Sequence, residues 1–355
     1  MQRKLLPFFS YIFFLFFSCE NNSLTNTEKS SPKEPNFQSL AELQDNLSLL
    51  GSPSSFDIME DGRIVLTDLN SPKMIIYDQD GNQEKVIQAE GNGPLQFQNP
   101  SIVKYYDGKI YLWCSQQLKL ITYTPDGDPI EEFKIFDRAI SNFTPFEDKL
   151  IAYTKGGFMD SYIQVYDLGL GKLEKSLGEV SNEQVLLDIF SCSGGIDLKN
   201  NYLIYIPSDE LKINKFDLTT MQSIEETSLT DEEFQVGEIK TNPVDMVNSD
   251  FNQAVKFINE NSTVTGISAL DKGMVLISEV GYYEGDAQKG ITNSSHRFDK
   301  YYVLDDNFEL TQVYKSNKIL GASPCLMTTK GNSLYQLIQG QKENDEGFVI
   351  KTIDF

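Results

Sequence analysis

Carboxylates are the commonest reactive groups in this chain of 355 residues: 52 Asp and Glu stand against 30 Lys and Arg, one histidine and four cysteines. The single imidazole, His296, cannot by itself build a multi-histidine metal centre. Beside Arg297 it has the makings of a lone general base, the plain alternative being a solvated loop side chain. Tyr77-Asp78-Gln79-Asp80-Gly81-Asn82 has acids spaced like the start of a calcium loop but lacks the closing glutamate. Asp-Gly is also what a hairpin turn requires. A pair of acids for glycoside chemistry could be drawn from so many carboxylates, yet most of them stand in turns, where water solvates them. The remaining candidate is the thiol of Cys19, directly behind Ser18.

The context of Cys19 gives that thiol a fate. Arg3 and Lys4 precede an apolar run from Leu5 to Phe17, and Ser18 is a small residue at a cleavage position, the layout of a secretory signal. The run is too short to span a bilayer, which takes roughly 20 apolar residues. Phe16-Phe17-Ser18-Cys19 resembles the lipobox of bacterial lipoproteins, although leucine is the usual residue where Phe16 stands. The resemblance implies cleavage before Cys19, a diacylglyceryl thioether on its sulfur and membrane attachment through the acyl chains. A plain secreted protein is the alternative, but it would carry a small residue in place of Phe16. Glu20, just after the cysteine, resembles the start of the surface-export signal of Bacteroidetes lipoproteins, and both faces of the outer membrane stay open. The expected location is the cell envelope, as an outer-membrane lipoprotein. The expected layout is a signal peptide over 1–18, a flexible tether over 19–39, too poor in apolar residues to fold, and a globular domain over 40–355.

The formal net charge is −22, and loss of Arg3 and Lys4 with the signal takes it to −24. Such a surface repels phosphate backbones, so nucleic acid is not an expected partner. With Cys19 lipidated, Cys114, Cys192 and Cys325 remain. An odd number leaves at least one free thiol, and their apolar neighbours predict small buried hydrophobes.

Periodicity places these groups on a repeated framework. Phe56–Ile58, Asp61-Gly62, Arg63–Asp68, Lys73–Asp78 and Asp80-Gly81 read as strand, turn, strand, loop, strand, turn. The same cassette returns at Ile102–Tyr105, Asp107-Gly108, Lys109–Trp113, Leu118–Tyr123 and Asp126-Gly127. Weaker copies follow at Asp148–Tyr153 with Tyr162–Asp167, at Tyr202–Ile206 with Leu211–Asp217, at Gly273–Ser278 with Lys300–Asp305, and at Gly331–Leu337 with Phe348–Ile353. Six copies predict an all-β, six-bladed propeller of four-stranded antiparallel sheets, because a lone meander cannot bury both faces and radial stacking covers them. Seven blades is the alternative, with the extra one in Ser223–Lys256. Ring closure is expected from Leu47–Leu50, as the outer strand of the blade holding Phe348–Ile353.

Gly91-Asn92-Gly93-Pro94-Leu95-Gln96-Phe97-Gln98-Asn99-Pro100 resembles the link between blades of NHL-type propellers, with the phenylalanine plugging the sheets. Cassettes, link and lipobox together resemble TolB-like or NHL-like six-bladed propeller lipoproteins of Bacteroidetes. Some NHL-like propellers are lactonases or lyases, and the resemblance implies that these hold a channel metal on ligands from the inner strands. Here the inner strands begin at Phe56-Asp57-Ile58, Ile102-Val103-Lys104, Phe143-Thr144-Pro145, Gly195-Ile196-Asp197, Gly266-Ile267-Ser268 and Cys325-Leu326-Met327, and offer only Asp57 and Asp197 as carboxylates. No metal or cofactor is therefore expected. The expected function is a binding or scaffold propeller for a protein, peptide or glycan, with a metal-dependent hydrolase or lyase as the alternative. Tyr105, Trp113, Tyr282 and Tyr283 are the expected aromatic platforms. The long segment from Gly281 to Arg297, which also contains His296, is expected to project as an adaptable contact loop.

Overall fold

Second and third strands of every cassette carry apolar residues on both faces, so each sheet must be covered on both sides. The computed structural model describes residues 31–135, 140–154, 160–180, 194–236, 249, 261–281, 284–286, 291–293, 297–316, 326–339 and 347–355, and Pro32–Phe355 form one compact unit. In chain order the first strand is β1 (Gln38–Glu42), followed by blade one, β2 (Pro53–Ile58), β3 (Ile64–Asp68), β4 (Lys73–Tyr77) and β5 (Gln83–Ile87). Blade two is β6 (Pro100–Tyr106), β7 (Lys109–Cys114), β8 (Lys119–Tyr123) and β9 (Pro129–Lys134). Blade three is β10 (Ile140–Phe146), β11 (Lys149–Thr154), β12 (Ser161–Asp167) and β13 (Lys172–Glu179), and blade four is β14 (Gly195–Lys199), β15 (Tyr202–Ile206), β16 (Lys212–Asp217) and β17 (Ser223–Ser228). Blade five starts with β18 (Thr263–Ala269) and β19 (Met274–Gly281), is interrupted by the ribbon β20 (Glu284–Asp286) and β21 (Ile291–Asn293), and resumes with β22 (Arg297–Leu304) and β23 (Leu310–Lys315). Blade six is β24 (Met327–Lys330), β25 (Ser333–Gln339) and β26 (Phe348–Asp354).

These strands form six four-stranded antiparallel sheets, so the chain is a six-bladed β-propeller. Ser223–Ser228 is the outer strand of blade four and not the start of a seventh blade. Each junction between neighbouring blades holds its own apolar cluster. Val65 and Ile76 of blade one meet Val103 and Leu112 of blade two, and Trp113 and Leu120 of blade two meet Phe143 and Leu150 of blade three. Successive side chains of a strand thus serve opposite junctions. Each fully buried Leu, Ile, Val or Phe contributes about 1.5–3 kcal/mol. The linker phenylalanine, Phe97, is fully buried between blades one and two. Outer strands β9, β13 and β17 are exposed and charged, which blunts their free edges.

Closure by the N-terminal chain occurs, with a different segment from the one expected. β1 completes blade six, Gln38 opposite Thr352 and Glu42 opposite Val349. The sequence QSLAE hides this because an outer strand buries little, here Ala41 alone. Leu47 and Leu49 are 60% and 76% exposed, and their segment crosses the third strand of blade one instead. Gln83 accepts the Leu47 and Ser48 amides at 2.8 and 2.7 Å, and Lys73 reaches the Leu49 carbonyl. Gly81 fits here at φ 89 because a Cβ would lie 2.4 Å from the Glu42 carbonyl. Pairing reaches back to Lys33, bridged to Tyr314, and Phe37 packs edge-on against Tyr301, so part of the stretch expected as tether lies on the propeller.

Three buried lysines at matching positions of the third strand hold the incoming linkers. Lys73 pairs with Asp68 at 3.5 Å and donates to Ser48 Oγ at 2.9 Å. Lys119 donates to the Gly93 carbonyl at 3.2 Å and to Glu132 at 3.3 Å. Lys300 contacts Asp231 and Glu233, both at 2.6 Å, and Tyr302 donates to Asp231 at 2.7 Å. Burial works to raise the Asp231 carboxyl, but the hydrogen bonds from Lys300 and Tyr302 outweigh it and hold the group below the usual carboxylate range. A depressed carboxyl stabilises the fold above its unfolded value of about 3.9, and that stabilisation disappears as pH falls through the folded value.

Two outcomes follow from this architecture. Ala41→Asp places an unpaired charge at the closure strand and should lower stability by about 2–4 kcal/mol in one cooperative transition; an unchanged denaturant midpoint would refute closure by β1. Asp231→Asn should cost about 1–3 kcal/mol at neutral pH, and chemical denaturation across pH should show that deficit vanishing under acid conditions rather than persisting.

Candidate functional site

An innermost strand is a sheet edge, and its outward N–H groups need partners that no neighbouring strand supplies. In this ring β2, β6, β10, β14, β18 and β24 converge on a central cavity of about 310 Å³. Each of the six expected inner-strand triplets contributes at least one residue to its wall. In blade six Met327 of the expected triplet lines the cavity, and the wall continues through Thr328 and Thr329.

Both expected carboxylates are present, and both are occupied by the protein itself. Asp57 accepts the Ile58 amide at 2.9 Å and the Tyr105 amide of blade two at 2.8 Å. Its Oδ1 also accepts the Thr328 hydroxyl of blade six at 2.6 Å. Asp197 repeats the device, taking the Leu198 amide at 2.7 Å and the Ala269 amide of blade five at 2.8 Å. Burial pushes the Asp197 carboxyl upward, opposed by the Ala269 hydrogen bond and the charge of Lys104. Two lysines reinforce the same junctions. Lys330 of blade six donates to the Met59 and Glu60 carbonyls at 2.6 and 3.0 Å, and Lys199 of blade four donates to the Leu270 and Asp271 carbonyls. The receiving turns, in blades one and five, are the longer turns with carbonyls to spare.

Among the described residues no three His, Cys, Asp or Glu lie together as a group able to hold a metal ion. The Asp78 turn behaves likewise. Its carboxylate accepts the Asp80 and Asn82 amides at 2.9 and 2.8 Å, closing a hairpin turn, and the Asn82 side chain holds its pKa below the ordinary value.

Of the expected aromatic platforms, Tyr105 lines the cavity next to Lys104, and burial and the nearby Glu60 and Asp61 raise its phenol. Trp113 must be corrected: it is fully buried in β7 between blades two and three. A second strand has no solvent face in a radial stack, so its tryptophan packs between blades and offers no platform. Cys114, beside it, is free and buried, with its thiol pushed up to about 12 by desolvation. Cys19, Tyr282, Tyr283 and His296 lie outside the described residues, as do Cys192 and Cys325. Around them the expected adaptable loop is in part regular structure. β19 and β22 stay paired out to Gly281 opposite Arg297, and Gly285 lies in the β20–β21 ribbon opposite Thr292. Sequence reasoning missed Asn142 and Thr328 as cavity residues. Their only signal is register, the place each takes within a first strand.

Residues 42–183 match the DUF5128 family, described as a 6-bladed beta-propeller. No curated protein matches the sequence. Among solved structures the chain is similar to a protein from Bacteroides fragilis described as exported, with TM-score 0.61 and 13% identity over 91% of this chain and 99% of the other. It is also similar to a DUF4221-family protein from Bacteroides vulgatus, with TM-score 0.64 and 13% identity over 91% and 98%. At such identity these likenesses show the fold.

Asp57→Ala should remove an acceptor from three donors at once and destabilise the domain by about 2–4 kcal/mol, with Asp57→Asn recovering part of the loss. Thermal melts with and without added divalent cations check this. A wild-type melt raised by a cation, and that gain abolished in Asp57→Ala, would mark the carboxylate as a metal ligand instead.

Proposed function

We propose that this protein is an exported lipoprotein of the cell envelope, anchored in the outer membrane through Cys19, whose propeller binds a protein, peptide or glycan without transforming it. Removal of 1–18 as a signal peptide and a short tether from Cys19 to the propeller belong to this reading, as does kinship with TolB-like and NHL-like propellers. The observation that carries the binding role is the engagement of Asp57 and Asp197 by inner-strand amides. Those bonds give both carboxylates a structural role, and no observation favours the hydrolase or lyase alternative. The exported status described for the Bacteroides fragilis relative and the sequence around Cys19 support the location. Contact surfaces on this reading are the cavity mouth at Tyr105 and the ribbon segment from Gly281 to Arg297, whose sequence includes Tyr282, Tyr283 and His296.

Mass spectrometry of the membrane fraction should find an acylated Cys19 as the mature N-terminus, and Cys19→Ala should abolish processing and membrane retention. The purified mature chain should retain ligands on glycan or peptide arrays and should hold no stoichiometric metal. A soluble, unacylated wild-type protein would sink the anchor, and a stoichiometric metal with turnover of a bound ligand would sink the binding role.

A further inference from the structure

The hydrogen-bonding capacity left over in the cavity is lopsided. Its acceptors, Asp57 and Asp197, are engaged by backbone amides and the Thr328 hydroxyl. Asn142 Oδ1 is likewise taken by the Phe143 amide at 2.9 Å, leaving its NH2 group. Lys104 lines the cavity and makes no hydrogen bond or ion pair among the described residues, whereas Lys73, Lys119, Lys199, Lys300 and Lys330 are all matched to carboxylates or carbonyls. Thr144, Ser268 and Thr329 add hydroxyls that are engaged with no partner among the described residues. A partly buried ammonium with an amide NH2 group and hydroxyls around it is complementary to an oxyanion. Burial pushes the Asp197 carboxyl upward, and the charge of Lys104 opposes that shift. The cavity measures about 310 Å³ and has Tyr105 and Tyr106 among its lining residues, each packed in part against a junction cluster.

We propose that the central cavity binds a small carboxylate on a polyhydroxyl body, a sugar acid, with Lys104 as counter-ion and Asn142, Thr144 and Ser268 facing its hydroxyls. This rests on the reading of the propeller as a binding protein and names the ligand class. The hydroxyl-rich wall of Thr144, Ser268 and Thr329 suits a polyol better than an apolar acid.

Isothermal titration of the full mature chain in detergent, with D-glucuronate, D-glucose and inorganic phosphate as probes, tests it. Glucuronate should bind, glucose and phosphate at least tenfold more weakly. Lys104→Met should lose at least tenfold, Lys104→Arg should keep most of the affinity, and Thr144→Val should weaken binding if Lys104→Met fails to fold. No binding of glucuronate, equal binding of glucose, or indifference to Lys104→Met in a folded protein would overturn the proposal. Tighter binding of phosphate would overturn the sugar-acid body. Equal binding of glucose would leave the binding role standing, whereas conversion of glucuronate, followed by NMR in the same cell, would remove that role.

Discussion

The Asp57 carboxylate joins three blades. It belongs to blade one, takes an amide from blade two at Tyr105 and a hydroxyl from blade six at Thr328. The last of these contacts spans the point where the two ends of the chain's repeat meet. Closure therefore has an inner bond at Asp57 as well as an outer one, where β1 completes the sheet of β26. Apolar clusters supply most of the energy at each junction, but they are non-directional. The carboxylate latch sets the register of one inner strand against the next, since only one amide lies within reach of each oxygen.

That constraint reaches the chemistry of the cavity. Edge amides left facing a narrow channel would each cost about 1–3 kcal/mol, and Asp57 and Asp197 remove part of that cost by accepting the Tyr105 and Ala269 amides. The same two acids that could have served a metal are therefore parts of the frame. What the frame does not use is cationic and hydroxylic, chiefly Lys104. Five other lysines share one pattern: at matching positions of a third strand (Lys73, Lys119, Lys300), or at the end of a first strand (Lys199, Lys330), they reach carbonyls or acids of an adjoining linker or turn. Lys104 sits two residues before the end of its strand, turned to the cavity, and has no such partner there.

Much of this frame is legible in the residues. Asp-Gly turns and two-sided apolar strands mark the cassettes, and six cassettes give six sheets. The inner strands were legible too, because Asp57, Lys104 and Asp197 fall at the same place in their repeats. Trp113 was misread because Lys109–Cys114 is apolar without alternation, a pattern that belongs to a strand covered on both faces. β1 escaped notice because an outer strand of a propeller buries so little that QSLAE has no periodic signature, whereas Leu47–Leu50 is apolar yet mostly exposed. The latches were invisible for a different reason. They depend on which amide of the next blade faces a given carboxylate, and that is a matter of inter-blade register.

The most direct test of the latch is amide hydrogen exchange at Tyr105 and Ala269, which are edge positions with no strand partner on the cavity side. If Asp57 and Asp197 hold them, both amides exchange only through unfolding of the domain, as slowly as amides in the middle of β7. Exchange on the timescale of exposed turns, slowed when a divalent cation is added, would mean that the carboxylates serve an ion and that the ring is held by other means.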